Sequence, residues 1–542
     1  MNAAPKSHPP LHRHAITKPV QAWKPRHNIW VIALSVTIAT FMEVLDTSIA
    51  NVALPHIAGG LGSTQDESTW VLTSYLVANA IVLPISAWLS TVFGRKRFYM
   101  GCVMIFTFSS MMCGLASSLA MLILFRVVQG AAGGGLGPSE QGILADTFPP
   151  EKRGMAFAIY GMAVILAPAI GPALGGWITD NYSWRWLFFI NIPAGMLSLM
   201  LTYRMIQDPP YLVRERRRVH QRGWRIDFLG LVLVATFLGP LQIVLDRGEE
   251  DNWFGSHLIT ILAVICAASL LLLIWRELVA PRPVVNLRMF RNRTFALAIL
   301  LMFVMGYVMY ASLVLMPQYV QVLLGWSAER AGMVLSPGGL TLMLLMPVVG
   351  FLVGKVDARV LIVSGFALTM LALYHMTAID MQIDYRVAVL MRIYMNLGLA
   401  LLFVPLNTIA YTDVPPEKND DVSSMINLAR NIGGSVGIAL SSALIVRREQ
   451  LHQHNLVMHA TNYDLNLHGL AAQLAKLLHE HGLSAANALQ QTYARLYQGL
   501  DAQAYTLAYI DAFYVMAVLS AAMLPLVLLM KPSEPGRGMV VG

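Results

Sequence analysis

Apolar runs of about twenty residues recur along this chain from Ile29 to Met530, separated by short polar stretches. A run of that length crosses the hydrocarbon of a bilayer as one helix. Fourteen such segments begin near residues 29, 68, 98, 119, 155, 186, 227, 257, 294, 329, 360, 387, 423 and 506. The pattern predicts an all-α polytopic membrane protein with fourteen transmembrane helices. Composition agrees, because 56% of the 542 residues are hydrophobic and only 13% are charged, with a mean hydropathy of +0.58. Residues 1–28 are polar and rich in Pro and His. They lack the short apolar core of a cleavable signal, so span one itself is expected to direct insertion. All three cysteines fall within predicted spans, which implies small apolar fillers and no disulfide framework.

Lys and Arg mark the loops that stay in the cytoplasm. One set of connections carries Arg95-Lys96-Arg97, Lys152-Arg153, the run from Arg214 to Arg225, Arg288, Arg291, Arg293 and Lys355, and the opposite set is poorer in basic residues. With fourteen spans, both termini are expected in the cytoplasm. The formal charge of +8 then reflects basic loops facing anionic lipid, and no nucleic-acid partner is expected.

An internal repeat organises the spans at an offset of 266 residues: Pro149-Pro150-Glu151-Lys152 returns as Pro415-Pro416-Glu417-Lys418, Arg126 meets Arg392, and Gly171 meets Gly437. The reading is two parallel six-helix bundles with two helices inserted between them, a plan that places a transporter's site near the midplane. The expected divisions are a tail at 1–28, a first bundle at 29–206, a basic linker at 207–226, and two inserted helices at 227–278. A loop at 279–293 follows, then a second bundle at 294–530 that includes an external amphipathic connection at 447–505, and a tail at 531–542.

Glu43 and Asp46 lie inside span one. A carboxylate at mid-helix costs roughly 2.5 to 3.5 kcal/mol on insertion scales, and such residues usually face a bundle interior or a water-filled path. Three residues apart, the two share a helix face. Desolvation and mutual repulsion disfavour charge on both, which suits reversible protonation. At the repeat offset stand Met309 and Ser312, so the acidic pair exists in the first half alone.

LDTSIANVALP in span one, RVVQG in span four, PAIGPALGG in span five, WRWLFFINIPAG entering span six and LDRGEEDNWF after span seven together resemble the major facilitator superfamily. The likeness is to its fourteen-helix drug:proton antiporters of the EmrB/QacA type, nearest the EmrB branch, and it covers essentially the whole chain. The resemblance implies export of amphipathic toxic compounds driven by inward proton flow, across the inner membrane of a Gram-negative bacterium. Asp46 matches the family's first-helix acidic residue, and Arg126 matches its fourth-helix arginine. An Asp46–Arg126 pair would be either a switch that a proton or substrate opens, or a permanent link between two helices.

WLSTVFGRKR between spans two and three resembles the family's gating loop, with Gly94, Arg95 and Lys96 at matching positions. Ala87 replaces the usual glycine and Thr91 the usual aspartate, while Asp357 stands at the repeat position of Thr91. Pro168, Gly171, Pro172, Gly175 and Gly176 in span five read as a hinge, or as a close structural crossing, between the halves. Candidate substrate contacts are Phe41, Gln129, Glu140, Tyr310 and Arg392. Thirty-one methionines, with aromatics such as Trp70 and Tyr75, would suit an adaptable pocket. Glu140 would favour cations, whereas Arg392 and Arg430 would suit anions.

In the connection 447–505, Leu470, Leu474 and Leu477 recur on one helical face before Gly482. A second helix is expected from Ser484, stacking Leu489, Tyr493, Leu496 and Tyr497 before Gly499. It is read as a docking surface for a periplasmic membrane-fusion adaptor and outer-membrane channel, as in the tripartite pumps that EmrB-type proteins resemble, or as a loop lying on the membrane. His479-Glu480-His481 and the His8, His12, His14 tail lack a full ligand set, so no metal is expected. No nucleotide loop or nucleophile–base set is present, so neither a cofactor nor enzymatic chemistry is expected. The leading function is a proton-coupled multidrug exporter. Alternatives are an exporter of one specialised metabolite or siderophore, an uptake symporter, and a membrane receptor or scaffold.

Overall fold

Hydropathy alone sets most of the architecture. The computed structural model describes residues 25–221, 227–280, 283–412, 414–459 and 465–532, and every regular element among them is a helix. Twelve of these helices are long and apolar enough to cross a membrane, or thirteen if the bent pair Pro150–Pro168 and Ile170–Asn181 is one span. The remaining helix of the predicted set, Arg95–Gly114, opens with three basic residues and carries several hydroxyl side chains, which dilute its hydropathy. The His8, His12, His14 tail and the end of the basic linker lie outside the described residues.

Each predicted span corresponds to a helix. Span one is Ile29–Val52, span two Gln65–Phe93, span three Arg95–Gly114 and span five Arg153–Asn181. Span four is broken at Gly134 and Gly135 into Leu119–Gly133 and Leu136–Thr147, and span six runs from Trp186 to Met205 with a break at Ile190. Phe228–Arg247 and His257–Val279 are the inserted spans seven and eight. Arg293–Val322, Ala328–Val353, Ala358–Met376, Tyr385–Ala410, Asn419–His459 and Ala485–Leu528 complete spans nine to fourteen.

The repeat is reproduced in packing. Span one packs on span five as span nine packs on span thirteen, and span two on span four as span ten on span twelve. Small residues permit this, since lipid offers little hydrophobic drive for helix association and close approach supplies the contact energy. Gly171 of span five faces Ser48 of span one, and Gly437 of span thirteen faces the Tyr307 backbone of span nine. The halves meet where span five packs on span ten and span two on span thirteen. Span seven leans on both span two and span thirteen, burying Leu233, Val234 and Leu238 against Ile81, Ile85, Leu428 and Ile432.

The connection between spans thirteen and fourteen is helical, and its helices run on into both spans. Span thirteen continues to His459, and Leu465–Glu480 follows. Gly482 then turns the chain at φ +96°, and Ser484 caps the next helix through the Asn487 N–H. That helix does not stop before Gly499. It runs unbroken into span fourteen, ending at Leu528. Along these helices Leu470, Leu477, Leu489, Tyr493 and Tyr497 are exposed, while Ala471, Leu478 and Ala488 are buried.

Candidate functional site

Between the halves lies a cavity of about 1370 Å³. Its wall reaches Asn51, Asp180, Asn181, Gln321 and Val322, where spans one, five and nine finish. At the other end the halves are joined. Arg95 pairs with Asp146 of the first half, and its Nε lies 2.8 Å from Asp420 Oδ1 of the second. The Ser90 hydroxyl donates to Asp420 Oδ2 at 2.7 Å, Asn419 Nδ2 to Asp146 Oδ1 at 2.6 Å, and the Ser424 hydroxyl to the Leu83 carbonyl at 2.7 Å. Gly154 and Gly350 bring the backbones of spans five and ten together there as well. The molecule is thus open at one end and shut at the other.

Asp46 sits beside this cavity, 2% exposed. Arg126 Nη1 donates to its Oδ2 at 2.5 Å; Gln129 Nε2 and Asn191 Nδ2 donate to Oδ1 at 3.0 and 2.6 Å. Arg126 also donates from Nε to the Val71 carbonyl at 3.0 Å and lies 4.3 Å from the centre of the Tyr75 ring. Four spans therefore converge on this ion pair: one, two, four and six. Burial makes that arrangement consequential, because losing either partner of a buried pair leaves an uncompensated charge at a cost of about 3–5 kcal/mol.

Glu43, one helical turn earlier, faces elsewhere. It lines the cavity and accepts from the Tyr75 hydroxyl at 3.3 Å and Asn79 Nδ2 at 3.1 Å. The two carboxylates of span one thus have separate partners, one a cation and the other neutral donors.

The structure distributes the remaining candidates. Tyr310, Pro168, Pro172 and Gly176 line the cavity. Gln129 is fully buried and engaged with Asp46 and Arg126. Glu140 lies behind the wall, accepting from the Thr37 hydroxyl at 2.7 Å and from that of Thr40. Phe41 packs into the apolar cluster around Leu45 and Ile49, and Gly175 is set against Ile49. Arg392 is 3% exposed and donates to the Ser312 carbonyl and hydroxyl at 3.1 and 3.2 Å. Among the gating-loop residues, Gly94 adopts φ +89° next to Asp208 and Arg216, and the Lys96 N–H donates to Asp208 at 2.9 Å. Asp357, at the repeat position of Thr91, caps span eleven and pairs with Arg359 at 2.9 Å.

Sequence reasoning passed over several residues of the site. Asn191 carried a signal, as an amide inside the apolar string FFINIPAG. Asp420 carried only the pattern NDD at a loop, and its partner lies 325 positions earlier, at Arg95. Gln242 of the inserted span seven reaches the cavity wall and accepts from the Ser435 hydroxyl at 3.1 Å. Across the midplane, Tyr160, Asn427, Gln141 and Asn407 form a chain of hydrogen bonds. Gln141 and Asn407, which bond to each other, stand at the repeat offset.

Two pseudo-symmetric helical halves around a central cavity closed at one end define a membrane transporter, and the chain belongs to the Major Facilitator Superfamily, whose sequence model matches residues 36–438. Within that family it falls with the EmrB-type exporters. It is 36% identical over 503 residues to the multidrug export protein EmrB of Haemophilus influenzae, covering 93% of this chain and 96% of the relative. To the EmrB of Escherichia coli strain K12 it is 35% identical, over 93% and 95%. The fatty acid resistance protein FarB of Neisseria gonorrhoeae is 34% identical, over 93% and 96%. Solved structures share the fold at lower identity. The human organic anion transporter MFSD10 has a TM-score of 0.57 at 12% identity, over 93% of this chain and 100% of that one. The proton:xylose symporter XylE has 0.55 at 16% identity, over 79% and 90%.

Proposed function

We propose that the protein exports amphipathic compounds across a bacterial inner membrane in exchange for protons, with both termini in the cytoplasm. The observation that carries this reading is the buried Asp46–Arg126 pair set beside a cavity with a single opening. In that orientation the cavity faces outward, as an exporter's does when it releases its cargo and takes up a proton. A proton reaching Asp46 neutralises the carboxylate and frees Arg126, and the four spans that meet there are then released to rearrange. Glu43, deeper on the cavity wall, is a second carboxylate that an incoming proton can reach.

Arg95, Asp146 and Asp420 serve as the inner latch in this cycle, and span five, with Pro168, Gly171, Pro172, Gly175 and Gly176, serves as the hinge. The bend of 41° between Pro150–Pro168 and Ile170–Asn181 supports that part, since proline removes a helical hydrogen bond and kinks the chain. One proton supplies roughly 2.3 kcal/mol per 100 mV and about 1.4 kcal/mol per pH unit, enough at those values to hold a neutral or monocationic compound about a thousandfold from equilibrium. The arm formed by the end of span thirteen, Leu465–Glu480 and the start of the last helix is the docking surface for a periplasmic membrane-fusion adaptor leading to an outer-membrane channel. Its exposed Leu470, Leu477, Leu489, Tyr493 and Tyr497 support that assignment.

The test is proton release from energised inverted vesicles containing the full chain, followed by dye dequenching on adding amphipathic compounds. Export by antiport predicts dequenching. Proton uptake in the opposite sense would establish a symporter, and silence across a broad panel, with and without the adaptor, would exclude coupled multidrug export.

A further inference from the structure

Four charged side chains line the cavity among the described residues: Glu43, Arg126, Asp180 and Arg430. Three have evident settings. Arg126 is neutralised by Asp46, Glu43 accepts from Tyr75 and Asn79, and Asp180 is at the open mouth, where 72% of its side chain is exposed.

Arg430, in span thirteen, is different. It is 5% exposed, and Nη2 alone is engaged, donating to Asn427 Oδ1 at 2.7 Å and to the Tyr160 hydroxyl at 3.2 Å. Its Nε and Nη1 have no hydrogen-bond partner. No ion pair among the described residues includes it, and its guanidinium lies 5.8 and 5.7 Å from the Tyr160 and Phe403 ring centres. A buried guanidinium is ordinarily paired and hydrogen-bonded, because removing it from water without an anion is costly. Here the position is held by neutral groups that orient the head without neutralising it. Apolar side chains, Tyr310, Leu313, Val314, Leu335 and Ile438, occupy the same cavity wall. A cation with unmet donors beside an apolar surface matches one ligand chemistry, an anion carrying a hydrocarbon tail.

We infer that Arg430 is the anchor for the carboxylate of amphipathic organic acids, which take its free Nε and Nη1 while their tails lie on the apolar wall. The inference rests on the export reading for its purpose, since it names the substrate class of that same cavity. Glu43 shares the cavity and is within electrostatic reach of Arg430. An ionised Glu43 therefore competes with a bound carboxylate for the same cation, while a protonated one leaves Arg430 to the ligand.

The experiment is binding of octanoate, octanamide and octyltrimethylammonium to the purified full-length protein in nanodiscs, by titration calorimetry. The three probes share a tail and differ in head-group charge. Octanoate is expected to bind about tenfold or more tightly than octanamide, as a charge-assisted hydrogen bond warrants. Arg430→Gln should erase that preference and leave octyltrimethylammonium binding intact, and Arg430→Lys should retain part of it. Equal binding of octanoate and octanamide to the wild type would overturn the inference without recourse to any variant. So would an Arg430→Gln protein that loses all three ligands alike, which would mark Arg430 as structural. Vesicle proton release driven by octyltrimethylammonium keeps the two readings apart. If it occurs while octanoate shows no preference, export stands and the anchor falls. If octanoate depends on Arg430 while no compound moves protons, the anchor stands and the export reading falls.

Discussion

Ser312 receives the Arg392 guanidinium at the place in the second half where Asp46 receives Arg126 in the first. The two arginines, like the two acceptors, are related by the same 266-residue offset. One half therefore neutralises its membrane-buried cation with a carboxylate, and the other offers only a hydroxyl and a backbone carbonyl. The scaffold is duplicated and the buried carboxylate is not.

From this asymmetry, Ser312→Asp is expected to stabilise the protein. A carboxylate there supplies Arg392 with the counter-ion it lacks, and charge-assisted hydrogen bonds contribute about 1.5–3 kcal/mol. Thermal unfolding of the purified protein reads this directly. A lower unfolding temperature would show that the second-half arginine is already accommodated.

Asp46→Asn should abolish compound-driven proton release while leaving Arg126 uncompensated, with a stability loss of about 3–5 kcal/mol. Adding Arg126→Gln should recover part of that loss, since paired groups couple by roughly 0.5–3 kcal/mol. Dequenching in the single variant equal to that of the wild type would remove Asp46 from the coupling site.

Asp420→Asn keeps the shape of the inner latch and removes one charge from Arg95. A loss of about 1.5–3 kcal/mol moves the equilibrium about 10- to 100-fold toward opening at that end. Labelling of a cysteine introduced at Leu83, 2% exposed in this closed arrangement, should accelerate correspondingly. Unchanged labelling would mean that the backbone contact of Gly154 with Gly350 holds the end shut unaided.

Gly171→Val and Gly437→Val test the repeat in packing. A side chain at residue 171 meets the Ser48 Cβ and hydroxyl, and one at residue 437 meets the Tyr307 backbone. Overpacking costs about 1–3 kcal/mol, so both variants should unfold earlier. Gly176→Ala, where nothing lies within 4 Å, is the control that should unfold like the wild type.

Hydropathy located the helices because every span must satisfy its backbone internally and present apolar side chains to lipid. It is silent on how far helices continue beyond the apolar runs. The apolar run of span fourteen begins near residue 506 and its helix at Ala485, because the first turns are polar, and an exposed glycine such as Gly499 need not end a helix that neighbouring turns sustain. Asp46 and Arg126 were legible since a charge in an apolar run stands out against its surroundings. Asp420 was not, because it lies at a polar helix start where carboxylates are ordinary. Asp357 holds the repeat position of Thr91 and is engaged by Arg359, so the repeat offset carries no information about Asp420. Gln129 and Arg392 were legible as buried polar groups, but only tertiary geometry shows that the first serves Asp46 and the second Ser312.

Spans seven and eight make the two flanks of the transporter unequal. Their hairpin rests across the seam of spans two and thirteen and contributes Gln242 to the cavity, whereas no described helix covers the seam of spans five and ten in the same way. The bilayer thus meets one seam backed by an added helix and one formed by two helices alone.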